Sequence, residues 1–101
     1  MAMKGSFDNI INGKTPVLVD FHAVWCGPCR AMPPILKSTK EALGDKVKII
    51  KIDIDKNQMI ASRFKVQSVP TLILFKNGSI AWRQSGVVPA NAIVNQIKDL
   101  V

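Results

Sequence analysis

The chain has 101 residues, 48% of them hydrophobic and 21% charged. That size and balance suit one folded domain over residues 1–101 and exclude disorder, collagen-like repeats and low-complexity sequence. The 14 Lys and Arg outnumber the 7 Asp and Glu for a net charge of +7, which excludes neither acidic protein partners nor anionic surfaces on its own. The basic residues are scattered, however. Between Lys37 and Lys56 they alternate with Glu41, Asp45, Asp53 and Asp55, and no aromatics interleave them, so no nucleic-acid face is expected. No stretch approaches the roughly 20 apolar residues that cross a bilayer, so no membrane partner is expected either. Met1 to Ser6 lacks the apolar centre of a signal peptide. A cytoplasmic location is expected, or a periplasmic one if a leader has been removed.

In chain order, Ser6 caps a short helix that ends near Asn12-Gly13, with Phe7, Ile10 and Ile11 at helical spacing. Val17 to His22 is almost continuously apolar, the pattern of a strand buried on both faces. A helix runs from Cys29 to Leu43 and stops at Gly44. Pro33 and Pro34 fall within it and predict a kink. Val47 to Asp53 predicts a second strand, Asn57 to Phe64 a short helix, and Thr71 to Phe75 a third strand. Asn77-Gly78 reads as a hairpin turn into a fourth strand, Ser79 to Gln84. Pro89 to Leu100 closes the chain as a helix with Ile93, Val94, Ile97 and Leu100 on one face. This alternation predicts an α/β fold: a central mixed or parallel β-sheet with helices on both faces and one antiparallel edge from the hairpin.

The only cysteines, Cys26 and Cys29, lie between the first strand and a helix. A bridge that short closes almost no loop and adds little stability, so the pair points to chemistry. Three residues apart at a helix start, the sulfurs can reach each other. Cys26 stands where unpaired N–H groups and the helix dipole favour an anion, which raises the thiolate fraction. Gly27 permits close approach of another chain, and Pro28 lacks an N–H and stiffens the link. Cys29, one turn deeper, is expected to be less exposed. This divides the labour: Cys26 attacks and Cys29 resolves. Zinc sites share the C-x-x-C spacing, but two Cys and one His fall short of four ligands, so no metal is expected. Asp20 interrupts the apolar strand six residues before Cys26. A buried carboxyl of raised pKa there could take the proton from Cys29.

With these residues the chain resembles the thioredoxin family. The resemblance rests on Val19-Asp20-Phe21, Trp25-Cys26-Gly27-Pro28-Cys29, Val69-Pro70-Thr71 with Pro70 44 residues after Cys26, Phe75-Lys76-Asn77-Gly78, and Gly86. It covers nearly all of the chain from Ser6 to Val101. It implies a thioredoxin fold and a protein-disulfide reductase, with Cys26 as nucleophile, Cys29 as resolving cysteine and Asp20 as the buried acid. Lys51 matches the lysine that pairs with that acid. Pro70 matches a cis-proline facing the disulfide, and with the Val69 backbone and Gly86 it implies a groove where extended substrate pairs in β fashion. Trp25 matches the tryptophan flanking the site, and Pro34 the proline that kinks the helix. The resemblance implies no cofactor beyond the redox-active Cys26–Cys29 pair. Its implied partners are protein disulfides and a thioredoxin reductase or equivalent electron donor, and the chain is expected to be a monomer. Other readings of the same residues are a specialised or periplasmic thiol–disulfide oxidoreductase and a non-catalytic thioredoxin-fold interaction subunit.

The chain also departs from the family pattern. His22 stands where a second tryptophan is usual, on the same strand face as Asp20. It is a candidate modulator that could favour the Cys26 thiolate. Val24 replaces a usual charge, and the +7 balance predicts acidic partners. Only Met1 to Gly5 precede Ser6, so the N-terminal strand is expected to be short or absent, leaving one sheet edge less covered.

Overall fold

The computed structural model describes residues 6–101. The expected shortness of an N-terminal strand concerns Met1 to Gly5 and lies outside them. In chain order the elements are α1 (Ser6–Ile11), β1 (Val17–His22), a 3-10 turn (Pro28–Ala31), α2 (Met32–Leu43), a second 3-10 turn (Gly44–Lys46), β2 (Lys48–Asp53), α3 (Gln58–Arg63), β3 (Thr71–Lys76), β4 (Ser79–Ser85) and α4 (Ala90–Ile97). Among the described residues no helix is long and apolar enough to cross a membrane.

The strands form one mixed sheet in the order β2-β1-β3-β4. β1 runs parallel to β2, with Asp20 opposite Lys51, and antiparallel to β3, with Asp20 opposite Leu72. The hairpin adds β4 antiparallel to β3. The sheet therefore holds two antiparallel pairings where the sequence predicts one. The helix preceding β3 explains this. The six residues of α3 advance only about 9 Å, whereas a six-residue strand spans about 20 Å. The chain does not return along β2, and β3 starts at the end where β1 finishes. That direction sets Val69 and Pro70 beside the cysteines.

β1 is central and splits its side chains between two cores. Leu18 packs with Met32, Leu36, Leu72, Leu74, Ile93 and Ile97 under α2 and α4. Val17, Val19 and Phe21 pack with Phe7, Ile11, Ile73 and Phe75 under α1. Each such aliphatic or aromatic side chain contributes about 1.5–3 kcal/mol on full burial. Asp20 is on the Leu18 face. The Asn77-Gly78 turn has φ of 54° and 81°, the paired positive values of a type I′ hairpin. The Gly78 N–H donates to the Ile11 carbonyl at 2.9 Å, which ties the hairpin to α1.

Two helix boundaries differ from the sequence reading. The helix predicted from Cys29 is divided into the 3-10 turn and α2, which begins at Met32. Pro33 and Pro34 thus fall in the first turn of α2, where absent N–H groups cost nothing, rather than at a kink in a helix interior. α4 ends at Ile97, before Leu100, although Leu100 still packs against the core. Ser6 is the first helical residue of α1.

Candidate functional site

The loop after β1 folds back on itself, with the Cys26 N–H donating to the Ala23 carbonyl at 3.2 Å. The 3-10 turn then brings Cys29 around to Cys26. The two are joined in a disulfide, with Cα atoms 5.4 Å apart. The Cys29 N–H donates to Cys26 Sγ at 3.1 Å, and the Val69 carbonyl oxygen lies 3.6 Å from the same sulfur. A hydrogen bond from a backbone N–H favours the thiolate form of Cys26 once the disulfide opens. The source of that stabilisation is this one N–H at a four-residue 3-10 turn, because the α-helix proper starts only at Met32. The exposure expected of the two cysteines is not found. Cys26 is 4% exposed and Cys29 7%, because Ala23, Ile54 and Val69 pack around the pair.

Behind the disulfide lies Asp20, only 2% exposed. Its Oδ1 has no hydrogen-bond partner among the described residues. Burial pushes its carboxyl above the usual carboxylate range, against the opposing pull of His22 and Lys51. Lys51 stands opposite Asp20 across the β1–β2 ladder, with its side chain exposed. Among the described residues it makes no ion pair with Asp20 and acts on it through space. A cleft of about 210 Å³ opens beside the disulfide and is lined by Asp20, His22, Cys26, Cys29, Arg30 and Lys51, among others.

On the other side of the disulfide, the Val69–Pro70 peptide is cis. The Gly86 N–H donates to the Pro70 carbonyl at 2.9 Å. Gly86 has φ +87°, a conformation that a side chain would strain. The buried Thr71 hydroxyl donates to the Ser68 carbonyl at 2.7 Å and so pins the turn into β3. The added Cβ of an alanine at Gly27 would meet nothing within 4 Å. Gly27 thus leaves open space above the disulfide that the protein itself does not fill. Pro28 opens the 3-10 turn, and Pro34 lies away from the disulfide, in a groove between α2 and the segment 87–90.

Trp25 is 66% exposed and held by a hydrogen bond from its Nε1–H to Asp55 Oδ2 at 2.8 Å. Asp55 is itself placed by Asp53, whose Oδ1 accepts the N–H groups of Asp55 and Lys56 at 2.8 and 3.2 Å. Desolvation pushes the Asp53 carboxyl up, but those two N–H groups, with His22 and Lys56, outweigh it and hold the carboxyl below its ordinary range. Sequence reasoning missed both aspartates. The Asp-x-Asp spacing at the end of β2 carries an Asx-turn signal for Asp53. Nothing local marks Asp55 as the partner of a residue 30 positions earlier.

The family model for Thioredoxin matches residues 1–99. The chain belongs to the thioredoxin family. It is 48% identical over 94 residues to rice "Thioredoxin Y, chloroplastic", covering 92% of this chain and 56% of that protein. It is 44% identical over 96 residues to the thioredoxin of Alicyclobacillus acidocaldarius, covering 95% and 91%. Among solved structures, mitochondrial thioredoxin 3 of Saccharomyces cerevisiae in its oxidised form superposes with a TM-score of 0.82 at 35% identity, covering 92% of this chain and 86% of that one. The chain spans 56% to 59% of the length of the plant thioredoxins Y that it matches. As in other thioredoxins, a mixed sheet flanked by helices carries the cysteine pair at the end of a central strand.

Proposed function

We propose that this thioredoxin reduces protein disulfides by dithiol–disulfide exchange, acting as a monomeric single domain. The observation that carries the reading is the Cys26–Cys29 disulfide lining a cleft, with a buried carboxyl behind it whose Oδ1 has no partner among the described residues. In the reduced state the Cys26 thiolate attacks one sulfur of a substrate disulfide. That S–S bond breaks and its electron pair leaves on the other substrate sulfur. Asp20 accepts the Cys29 proton, and the Cys29 sulfur then attacks Cys26 Sγ. The Cys26–substrate bond breaks, the substrate leaves as a dithiol, and the disulfide seen here forms. Val69, Pro70 and Gly86 supply a backbone edge for an extended substrate. Trp25, Gly27 and Pro28 form the surface it meets.

Two electrons must then return from a thioredoxin reductase or an equivalent dithiol donor. The proposed location is a reducing compartment, the cytoplasm, or the periplasm if a leader has been removed. His22 in the cleft favours a second reading, a thiol–disulfide enzyme retuned toward disulfide formation or isomerisation. The deciding experiment is the redox equilibrium of the Cys26–Cys29 pair against a defined thiol buffer, together with insulin reduction. A potential near the general thioredoxin value of about −270 mV supports the reductase. A value several tens of millivolts more oxidising supports the second reading. Full insulin reduction by a Cys26→Ser variant would refute both.

A further inference from the structure

The proton that Asp20 receives has to leave a site that is 2% exposed. The cleft beside the disulfide is the opening that reaches it. Its charged and titratable lining comprises Asp20 and His22 from β1, Lys51 from β2, and Cys26, Cys29 and Arg30 from the cysteine turn. Ala23, Val24 and Pro33 complete the wall and carry no proton. Lys51 and Arg30 carry donor groups and no acceptor. Histidine is the side chain that both takes up and gives away a proton between pH 5 and 8. His22 is half-buried, between the enclosed carboxyl and solvent. Two positions along the same strand face place it about 6.6 Å from Asp20, Cα to Cα, and its charge acts on the Asp20 carboxyl through space. On its other side, Asp53 is its register partner across the β1–β2 ladder. That carboxylate is pinned by the Asp55 and Lys56 N–H groups, so a fixed negative charge stands next to an imidazolium when one forms. Among the described residues the imidazole makes no hydrogen bond, and the side chain lines the cleft.

We propose that His22 carries the resolving-step proton from Asp20 to solvent, which makes it a positioning residue that acts through Asp20. The proposal rests on the reading of the chain as a disulfide reductase. The step balances as follows. On the mixed disulfide, Cys29 gives its proton to Asp20 and its sulfur bonds to Cys26 Sγ. The Cys26–substrate S–S bond breaks, and the electron pair leaves on the substrate thiolate. In the same step as it takes the Cys29 proton, Asp20 passes one on through a water to His22; His22 then releases it to solvent, and the departing thiolate takes one up. Because each proton taken up is matched by one passed on, Asp20 does not have to hold a net charge in surroundings that disfavour it.

The test uses the reduced full chain and an excess of the aromatic disulfide 5,5′-dithiobis(2-nitrobenzoate) in stopped flow. Attack by Cys26 releases the first coloured thiolate, and resolution by Cys29 releases the second. His22→Gln should leave the first release unchanged and slow the second about a hundredfold at neutral pH, the lower end of what a placed proton-transfer group contributes. The pH profile of its second release should also differ from that of wild type. Imidazole added to the buffer should restore the rate. Asp20→Asn should be slow with or without imidazole, and His22→Gln should slow it no further. His22→Asn serves as a second variant, with the denaturation midpoint of the oxidised form checking that each folds. An unchanged second-release rate and pH profile in both His22 variants overturns the proposal, as does a slow variant that imidazole does not rescue. A wild-type chain that releases both thiolates yet leaves insulin oxidised overturns the protein-disulfide reading alone.

Discussion

Asp20 should cost this protein stability at neutral pH, and replacing it with leucine should recover that loss. The carboxyl is buried between Leu18 and the opposing Leu72, with one oxygen unsatisfied and no ion pair to Lys51. Leaving a buried polar group unpaired costs about 1–3 kcal/mol, while an apolar side chain of similar shape removes the penalty. Because burial raises the folded-state pKa above the ordinary 3.8, the native state binds a proton more readily than the unfolded state. Native stability therefore falls as pH rises from the unfolded value through the folded one, and then levels off. The same window defines the gain. Asp20→Leu should be more stable than wild type by about 1–3 kcal/mol at pH 8, and by clearly less at pH 3, where Asp20 is protonated in both states. In a domain of this size each kcal/mol moves Tm by about 4–8 °C. The assay is denaturant unfolding of both oxidised proteins across this pH range, followed by tryptophan fluorescence. Subtracting one protein from the other removes the remaining carboxylates, which the two share. A gain that is absent at pH 8, or equal at pH 3 and pH 8, would refute the assignment of a destabilising buried carboxylate. The same variant should resolve mixed disulfides slowly, because the acceptor for the Cys29 proton is gone.

Four further outcomes follow from particular contacts and backbone angles. Trp25→Phe removes the hydrogen bond to Asp55; at about 0.5–1.5 kcal/mol it should lower kcat/KM for a protein disulfide about twofold to tenfold. Asp55→Ala should match it, and a double variant that loses clearly more than either would show that the two residues do not act as a pair. Lys40 Nζ donates to the carbonyls of Gly44 and Val47 at 2.9 and 2.6 Å and closes the end of α2. Lys40→Met should keep the stem packing but lose about 1 kcal/mol in chemical denaturation. Gly27→Ala should fold with unchanged stability, since φ is −61° and the added methyl meets nothing, so any drop in turnover reports a clash with substrate. Gly86→Ala, at φ +87°, should instead lose about 1–2 kcal/mol of stability, and a fully stable variant would contradict that backbone assignment.

Much of the site is legible in the sequence alone. The Cys26–Cys29 spacing, the lone acid in an apolar strand, and the Asn77-Gly78 turn each signal within a few residues. Strand alternation also places Asp20 and His22 on one face whatever the partner strands are. The relative exposure of the two cysteines was not legible, because what covers Cys26 comes from Ile54 and Val69, far along the chain. The start of α2 is not legible in the sequence, because a 3-10 turn and an α-helix share the same residue preferences. Only the hydrogen-bond pattern around Cys29 and Met32 separates them.

The sequence by itself determined the elements, the two core faces of β1 and the chemistry of the cysteine pair. These depend on periodicity, turn conformers and side-chain type, all of which act over short stretches of chain. Only the tertiary structure decided the direction of β3, the approach of the Val69 carbonyl to Cys26, the hold of Asp55 on Trp25, and the separation of Lys51 from Asp20. Each of these contacts joins residues about 30 or more positions apart. Such contacts follow from how far α3 carries the chain and from which strands become neighbours, and no local pattern encodes either. The reactive sulfurs were therefore readable from the sequence, but the surroundings that set their reactivity come from strand order.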